Sequence, residues 1–400
     1  MNTTTDVVIV GGSVAGAATA LFLARRGRSV VVLDRARFPR DKPCGEGVMP
    51  HGVDVLAVLG VLDEAQAAGA TALHGVRYIL AGGATVAAPF PRTPGRSAVG
   101  LGVRRLALDA LLVGRLHAQA GVEICEGFRV RDLLWRGGVP CGVTDGEREA
   151  RARVVVGADG LRSRVRTALG WDASRRWPRR YAVVGHFRLS PEQNLAPEVE
   201  VVLAQGMEAY LTPLGGGEAL VALLGGRPLM RRFAGDLTAG YAAAVRNQPR
   251  LAALLGGATL LPGVRATGPF AARAKRVAGP GALLVGDAAG FLDPITGEGI
   301  AAALVQARAA AAVIDRALAD EGAIPDLSAY SAAHHRLTVT GNRLTWIALA
   351  LCASPALSAR AMRGLQHRDG LFSRLLAINC GHAGLGSITP RDWLALLPGR

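Results

Sequence analysis

Asp6 leads into Val7-Val8-Ile9-Val10, which is apolar and β-branched on both alternating faces. Such a run predicts a strand buried on both sides, as in a parallel sheet. It breaks into Gly11-Gly12-Ser13-Val14-Ala15-Gly16. Residues 17–26, rich in Ala and Leu, predict a helix closed by Gly27, and residues 29–33 a second buried strand ending on Asp34. Helices are expected over residues 52–62 and 64–70. Residues 75–90 alternate and predict a hairpin turning at Gly82-Gly83. An amphipathic helix is expected over residues 104–120, then strands over 121–125, 128–135 and 151–156. From residue 181 to 224 the period shortens into four strand-like runs, 181–188, 198–204, 208–213 and 218–224. Residues 231–247 read as a helix, 282–285 as a buried strand and 299–319 as a long Ala-rich helix. Beyond these, helices are broken at Pro355 and Gly370.

This order predicts an α/β fold: a Rossmann-like nucleotide-binding domain with an inserted antiparallel β-sheet substrate domain and a helical C-terminal part. Residues 1–72, 99–178 and 269–330 are expected to build the nucleotide domain in three parts. Residues 73–98 would lend a hairpin to the inserted sheet, 179–268 would form that sheet domain, and 331–400 the helical part.

The net charge of +15 would suit a nucleic-acid partner, but only Lys42 and Lys275 are lysines and the arginines are scattered without a basic block. No nucleic acid is expected. The five cysteines, at 44, 125, 141, 352 and 380, form no C-x-x-C pair and are odd in number. A reducing, cytoplasmic setting is expected, with no disulfide framework and no metal site. Residues 1–5 are too short for a signal peptide. No uncharged apolar run reaches the roughly 20 residues of a spanning helix.

Chemistry enters with the first turn. The glycines of Gly11, Gly12, Ser13, Val14, Ala15 and Gly16, set between a strand and a helix, bring backbone N–H groups and a helix N-terminus up to a pyrophosphate. Asp34 stands where a carboxylate bonds a ribose hydroxyl. Ser13 replaces the usual middle glycine and adds a hydroxyl donor. The turn alone leaves FAD and NAD both open.

Two more motifs follow: Gly157-Ala158-Asp159-Gly160 with Ser163 and Arg166, and Gly286-Asp287-Ala288-Ala289-Gly290 with Pro294 and Gly297-Glu298-Gly299-Ile300. Together the three resemble the FAD-dependent superfamily with the p-hydroxybenzoate hydroxylase fold, over residues 6–320. That superfamily includes single-component monooxygenases, flavin halogenases and geranylgeranyl reductases. The resemblance implies FAD as cofactor and NAD(P)H as reductant. It implies that Asp287 holds a ribityl hydroxyl, with Gly286 letting the strand end approach. Pro294, Gly297, Gly299 and Ile300 would set a helix N-terminus at the flavin N1–C2=O edge. Arg105 would lie near the phosphates, Arg35 beside Asp34, Val130 against the adenine, and Asp159 and Gly160 at the pyrophosphate.

The loop Lys42-Pro43-Cys44-Gly45-Glu46-Gly47-Val48 lies where the family runs backbone along the isoalloxazine ring, and it is similar to that of geranylgeranyl reductases. Lys42, Cys44 and Gly45 are therefore expected at the cofactor. Cys44, Glu46, His51 and Tyr210 are the candidate catalytic groups. The plain alternatives are a small buried side chain for Cys44 and a solvated carboxylate for Glu46. No lysine lies between Lys42 and Lys275, which argues against a halogenase. The stretch Tyr210-Leu211-Thr212-Pro213-Leu214 lacks the Trp and Phe of the prenyl-reductase pattern.

The resemblance thus implies an NAD(P)H-dependent monooxygenase acting through an oxygen adduct at flavin C4a on a small, largely apolar or aromatic molecule, as in natural-product biosynthesis. The alternatives are a geranylgeranyl-reductase-like C=C reductase or dehydrogenase, and a flavin-binding protein without turnover, membrane-associated through residues 344–357. That stretch is expected in the core instead, with no peripheral membrane contact.

Overall fold

The computed structural model describes residues 5–173, 179–320 and 322–396. The leader residues 1–4, the expected segment end at residue 178 and residues 397–400 lie outside the described residues.

Two sheets carry the molecule. In the first, five parallel strands run in the order Ala282–Leu284, Glu149–Gly157, Thr5–Val10, Val30–Asp34 and Val122–Glu126. The meander Asp132–Arg136 and Val139–Thr144 extends Glu149–Gly157 by antiparallel pairing. The β-branched run pairs on both edges, Val8 with Val31 and Val155, and its side chains are buried on both faces. On one face, the helices Val14–Ala24 and Gly299–Ala317 share a core with Leu21, Leu304, Ala307 and Ala311.

Small residues decide how closely the first helix approaches the sheet. A Cβ at Gly16 would lie 1.8 Å from the Gly11 carbonyl oxygen, so only glycine lets the helix start against the strand end.

The second sheet runs in the order Thr259–Leu260, Tyr181–Arg188, Glu218–Gly225, Met207–Leu214, Val199–Ala204, Gly75–Leu80 and Thr85–Pro89. The hairpin Gly75–Pro89 joins it through one parallel pairing, Val199–Ala204 against Gly75–Leu80. Strand alternation splits its side chains into two cores. Val183, Leu211, Val221 and Leu223 face an outer helical layer with Tyr241 and Leu251. Val184, Val201, Tyr210 and Leu224 face inward, towards the first sheet.

Three expectations need correction. The helix expected over residues 231–247 is two, Arg227–Arg231 and Leu237–Arg246. Asp236 restarts the second by accepting from the Ala239 N–H, as an N-cap does. The strand expected from residue 128 begins at Asp132. Residues 344–357 are not simply core. Leu344 and Thr345 are buried, while Ala350, Ala353, Pro355 and Ala356 are exposed where the helices Ala329–Leu351 and Pro355–His367 meet.

Candidate active site

The three glycine motifs converge at the carboxyl ends of the parallel strands, the edge where open α/β sheets bind ligands. Arg166 ties the second motif to the third. Its guanidinium donates to Leu161 O at 2.7 Å and to Ala288 O at 2.9 Å. Asp34 is buried and accepts from Gly12 N–H at 2.8 Å and Ala36 N–H at 2.9 Å. A carboxylate has about four lone-pair sites, so acceptor capacity remains for a ribose hydroxyl.

Beside the first turn lies a buried charged cluster. Arg105 Nη2 donates to Ser13 Oγ at 2.7 Å and to Asp109 Oδ1 at 3.0 Å. Burial opposes the charge on Arg105, but Asp109 and Cys44 together outweigh it and the guanidinium stays ionised. Arg40 adds a second cation, 3.5 Å from Asp34 and 3.6 Å from Asp109. The Ser13 hydroxyl, expected as a phosphate donor, lies 3.1 Å from Asp109 Oδ2 and accepts from Arg105, so it belongs to this internal network.

Glu46, a candidate catalytic group with a solvated carboxylate as its plain alternative, is not solvated. It is 1% exposed, with a left-handed backbone at φ 57°. Its Oε1 accepts from the Arg105 N–H at 2.8 Å, and its Oε2 stands 2.8 Å from His186 Nε2. Its own carbonyl accepts from Val103 N–H at 3.0 Å. One side chain thus pins residues 42–48 to both the nucleotide domain and the inserted sheet. Cys44 Sγ, on the same loop, accepts from the Glu46 N–H at 3.4 Å.

A cavity of about 380 Å³ opens from this loop. Lys42, Cys44, Gly45, Glu46, Arg105, Gly160, Asp287, Pro294, Gly297, Gly299 and Ile300 line it, with Ser13, Val14 and Ala15 at one end. Lys42 Nζ lies 3.9 Å from Asp287 Oδ2. From there it deepens between the inner face of the second sheet (Val76, Tyr78, Val184, Val201) and the C-terminal helices (Leu344, Ile347, Met362, Phe372). Gly11, Gly12, Gly16, Asp34, Arg35 and Val130 are outside this lining. Val130 is buried with Val8 and Leu33, whereas Arg35 is exposed.

Two further expected residues do not reach the cavity. Asp159 caps the helix Arg164–Ala168 instead, accepting from Arg164 N–H at 2.6 Å and from the Ser163 hydroxyl. Its carboxyl is nevertheless pushed up by burial. His51 is also absent from the lining. It is held neutral by burial and by Arg96, with its pKa lowered to about 4. Tyr210 does line the cavity, but its hydroxyl donates to Ile295 O at 3.0 Å, and burial raises its pKa well above 10. It can orient a group more readily than it can release a proton.

Sequence reading missed several residues. Arg180 reaches Glu208 at 2.8 Å and Asp293 at 3.4 Å behind Tyr210. Burial pushes Asp293 up to about 7, although Arg180 pulls the other way. Thr212 donates to Gly45 O at 2.9 Å, and Asn379 Nδ2 to Thr296 O at 3.0 Å. None of these lies in a motif; Asp293, just before Pro294, is the nearest to a signal.

Two features fit FAD to this cradle. A Cβ at Gly45 or at Gly297, where φ is +70°, would meet no protein atom within 4 Å, so two facing backbone stretches leave room for a flat ring. Arg105 Nε, buried on the cavity wall, has no partner among the described residues.

The family model described as an FAD binding domain matches residues 4–182. The menaquinone reductase of Mycolicibacterium smegmatis is 32% identical over 335 residues, covering 78% of this chain and 76% of that protein. The chain belongs to the FAD-dependent oxidoreductases with the p-hydroxybenzoate hydroxylase fold. The 6-methylpretetramide 4-monooxygenase of Streptomyces rimosus is 34% identical over 170 residues, covering 42% of this chain and 41% of that one. The flavin-dependent brominase Bmp2 superposes with a TM-score of 0.82 at 20% identity, covering 98% of this chain and 97% of that one. At that identity the likeness carries the fold alone.

Proposed function

We propose that this flavoprotein is an NAD(P)H-dependent monooxygenase whose substrate carries a long apolar chain, larger than the small molecule expected from the sequence. One observation carries the reading. The hydroxyls of Tyr210, Thr212 and Ser358 and one amide N–H of Asn379, on the chamber wall, donate to carbonyls of the chain itself. The surrounding wall is aliphatic and aromatic. Such a chamber grips hydrocarbon by area rather than polar groups by hydrogen bonds. It also offers water few partners, which suits a reaction that water would quench.

When bound, FAD would supply the redox chemistry, with NAD(P)H as electron source and dioxygen as oxygen source. The chain's own residues would position and exclude. Residues 42–48 would hold the ring plane, locked by Glu46, and Asp287 would take a sugar hydroxyl. The N-terminus of helix Gly299–Ala317 would favour negative charge at the ring edge.

A second reading, reduction of a C=C bond in the apolar chain, is favoured by the Cys44 thiol on the cavity wall and by the menaquinone reductase relative. Cys44 would then give a proton to one carbon as hydride reaches the other.

Oxygen separates the two. FAD-loaded protein in detergent is given NADPH and either a long-chain alkylphenol under ¹⁸O₂ or menaquinone without oxygen. One labelled oxygen atom in the phenol product supports monooxygenation. Anaerobic saturation of one C=C bond in the menaquinone side chain, read by mass after the ring is reoxidised to the quinone and lost in Cys44→Ser with FAD retained, replaces it with the reductase. Neither product overturns both.

A further inference from the structure

The C-terminal helices are both the roof of the chamber and its outer surface. Leu344, Ile347 and Leu351 from Ala329–Leu351, and Ala361, Met362 and Leu365 from Pro355–His367, line the cavity. The two helices meet at a bend of 119°. At that bend Ala350, Ala353, Pro355 and Ala356 are exposed, and no charged residue occurs from position 344 to 359. No single helix among the described residues is long and apolar enough to cross a membrane, but this bent pair meets the length and hydropathy requirement together. The uncharged tip is bracketed by Arg343 and Arg360, and Arg336, Arg343 and Arg363 are exposed. From residue 329 to 396 seven arginines face two aspartates, Asp369 and Asp392.

An apolar tip inside a basic collar is the composition of a segment that lies in a membrane interface. The apolar residues enter the acyl boundary and the cations meet anionic headgroups. A second copy of the chain would bring like charge against like charge at the same collar, which opposes it.

We propose that the tip formed by residues 344–359 docks on an anionic lipid bilayer and opens the chamber roof to it. A substrate with a long apolar chain resides in the bilayer, so this doorway spares it passage through water. That last step rests on the proposed substrate class; the docking itself does not.

The test uses FAD-loaded full-length protein and sedimentation with vesicles of phosphatidylglycerol and phosphatidylcholine in equal parts, against phosphatidylcholine alone. The wild type should sediment with the mixed vesicles at least tenfold more than with the neutral ones, and less at high salt. Ala353→Asp and Ala356→Asp, at exposed positions outside the cavity lining, should lose this binding while keeping FAD absorbance and thermal midpoint. Arg343→Glu with Arg363→Glu should weaken it. Wild type left in the supernatant, or Asp variants that bind unchanged, would overturn the docking. So would a wild-type dimer that the Asp variants convert to monomer, because a second copy would then cover the tip. Because no turnover is measured, failure here leaves the detergent-based oxygen test, and the function it probes, untouched.

Discussion

Replacing Glu46 tests most directly whether one buried carboxylate holds the flavin loop. Glu46→Ala removes both of its side-chain contacts, the Arg105 N–H and His186, each at 2.8 Å. Hydrogen bonds to a charged group contribute roughly 1.5–3 kcal/mol each, so two amount to about 3–6 kcal/mol, and the side chain is too buried for water to replace them. Ala keeps the left-handed backbone cost, roughly 1–2 kcal/mol, which Gly relieves. Glu46→Gln keeps an acceptor for Arg105 and loses only the charge towards His186. The variants should therefore rank Gln, Gly, Ala in increasing damage. Unfolding entropy of roughly 2.1 cal/mol/K per residue over this chain makes 1 kcal/mol worth about 1.2 °C. Glu46→Ala should then melt about 4–7 °C below wild type by scanning calorimetry, with Glu46→Gly about 1–2 °C above it. A Glu46→Ala midpoint within 1 °C of wild type would refute the reasoning, as would a Gly variant less stable than Ala.

Other outcomes follow from single contacts. Asp287→Ala should lower FAD affinity by about one to two decades while leaving the fold intact, and unchanged retention of FAD through dialysis would remove the assigned role. Gly16→Ala should release FAD and lower the melting midpoint, because its Cβ would meet the Gly11 carbonyl at 1.8 Å; a yellow protein with a wild-type midpoint contradicts that. Asp293 has a folded pKa of about 7, raised by burial above the ordinary 3.8. The native state therefore binds the extra proton between these values, and stability declines as pH rises from about 4 to 7. Asp293→Asn should flatten that slope in denaturant titrations, and an unchanged slope would assign it to another group.

The hydrophobic period and the glycine spacing determined the α/β class and the four strands of the inserted sheet to within a residue or two. These are local properties. An apolar strand buried on both faces needs only its own side chains, and the Gly11-to-Gly16 turn works through backbone that few other residues could adopt. The period failed where a turn decides, as at Asp236, which splits a run that reads as one helix.

Side-chain roles lay beyond the sequence because they depend on partners far along the chain. Glu46 reads as a catalytic acid or a solvated loop carboxylate until His186, 140 positions away, stands against it. Asp159 reads as a cofactor residue, yet it caps the next helix, and His51 sits two residues after the cavity-lining Met49 but outside the cavity. Tyr210 looks like an acid until its hydroxyl is seen donating to the Ile295 carbonyl. A motif fixes which groups the backbone carries. Only the packing of the two sheets and the C-terminal helices decides which way each group points, what it bonds, and how much water it keeps. In a low-dielectric interior those three set its charge and its chemistry.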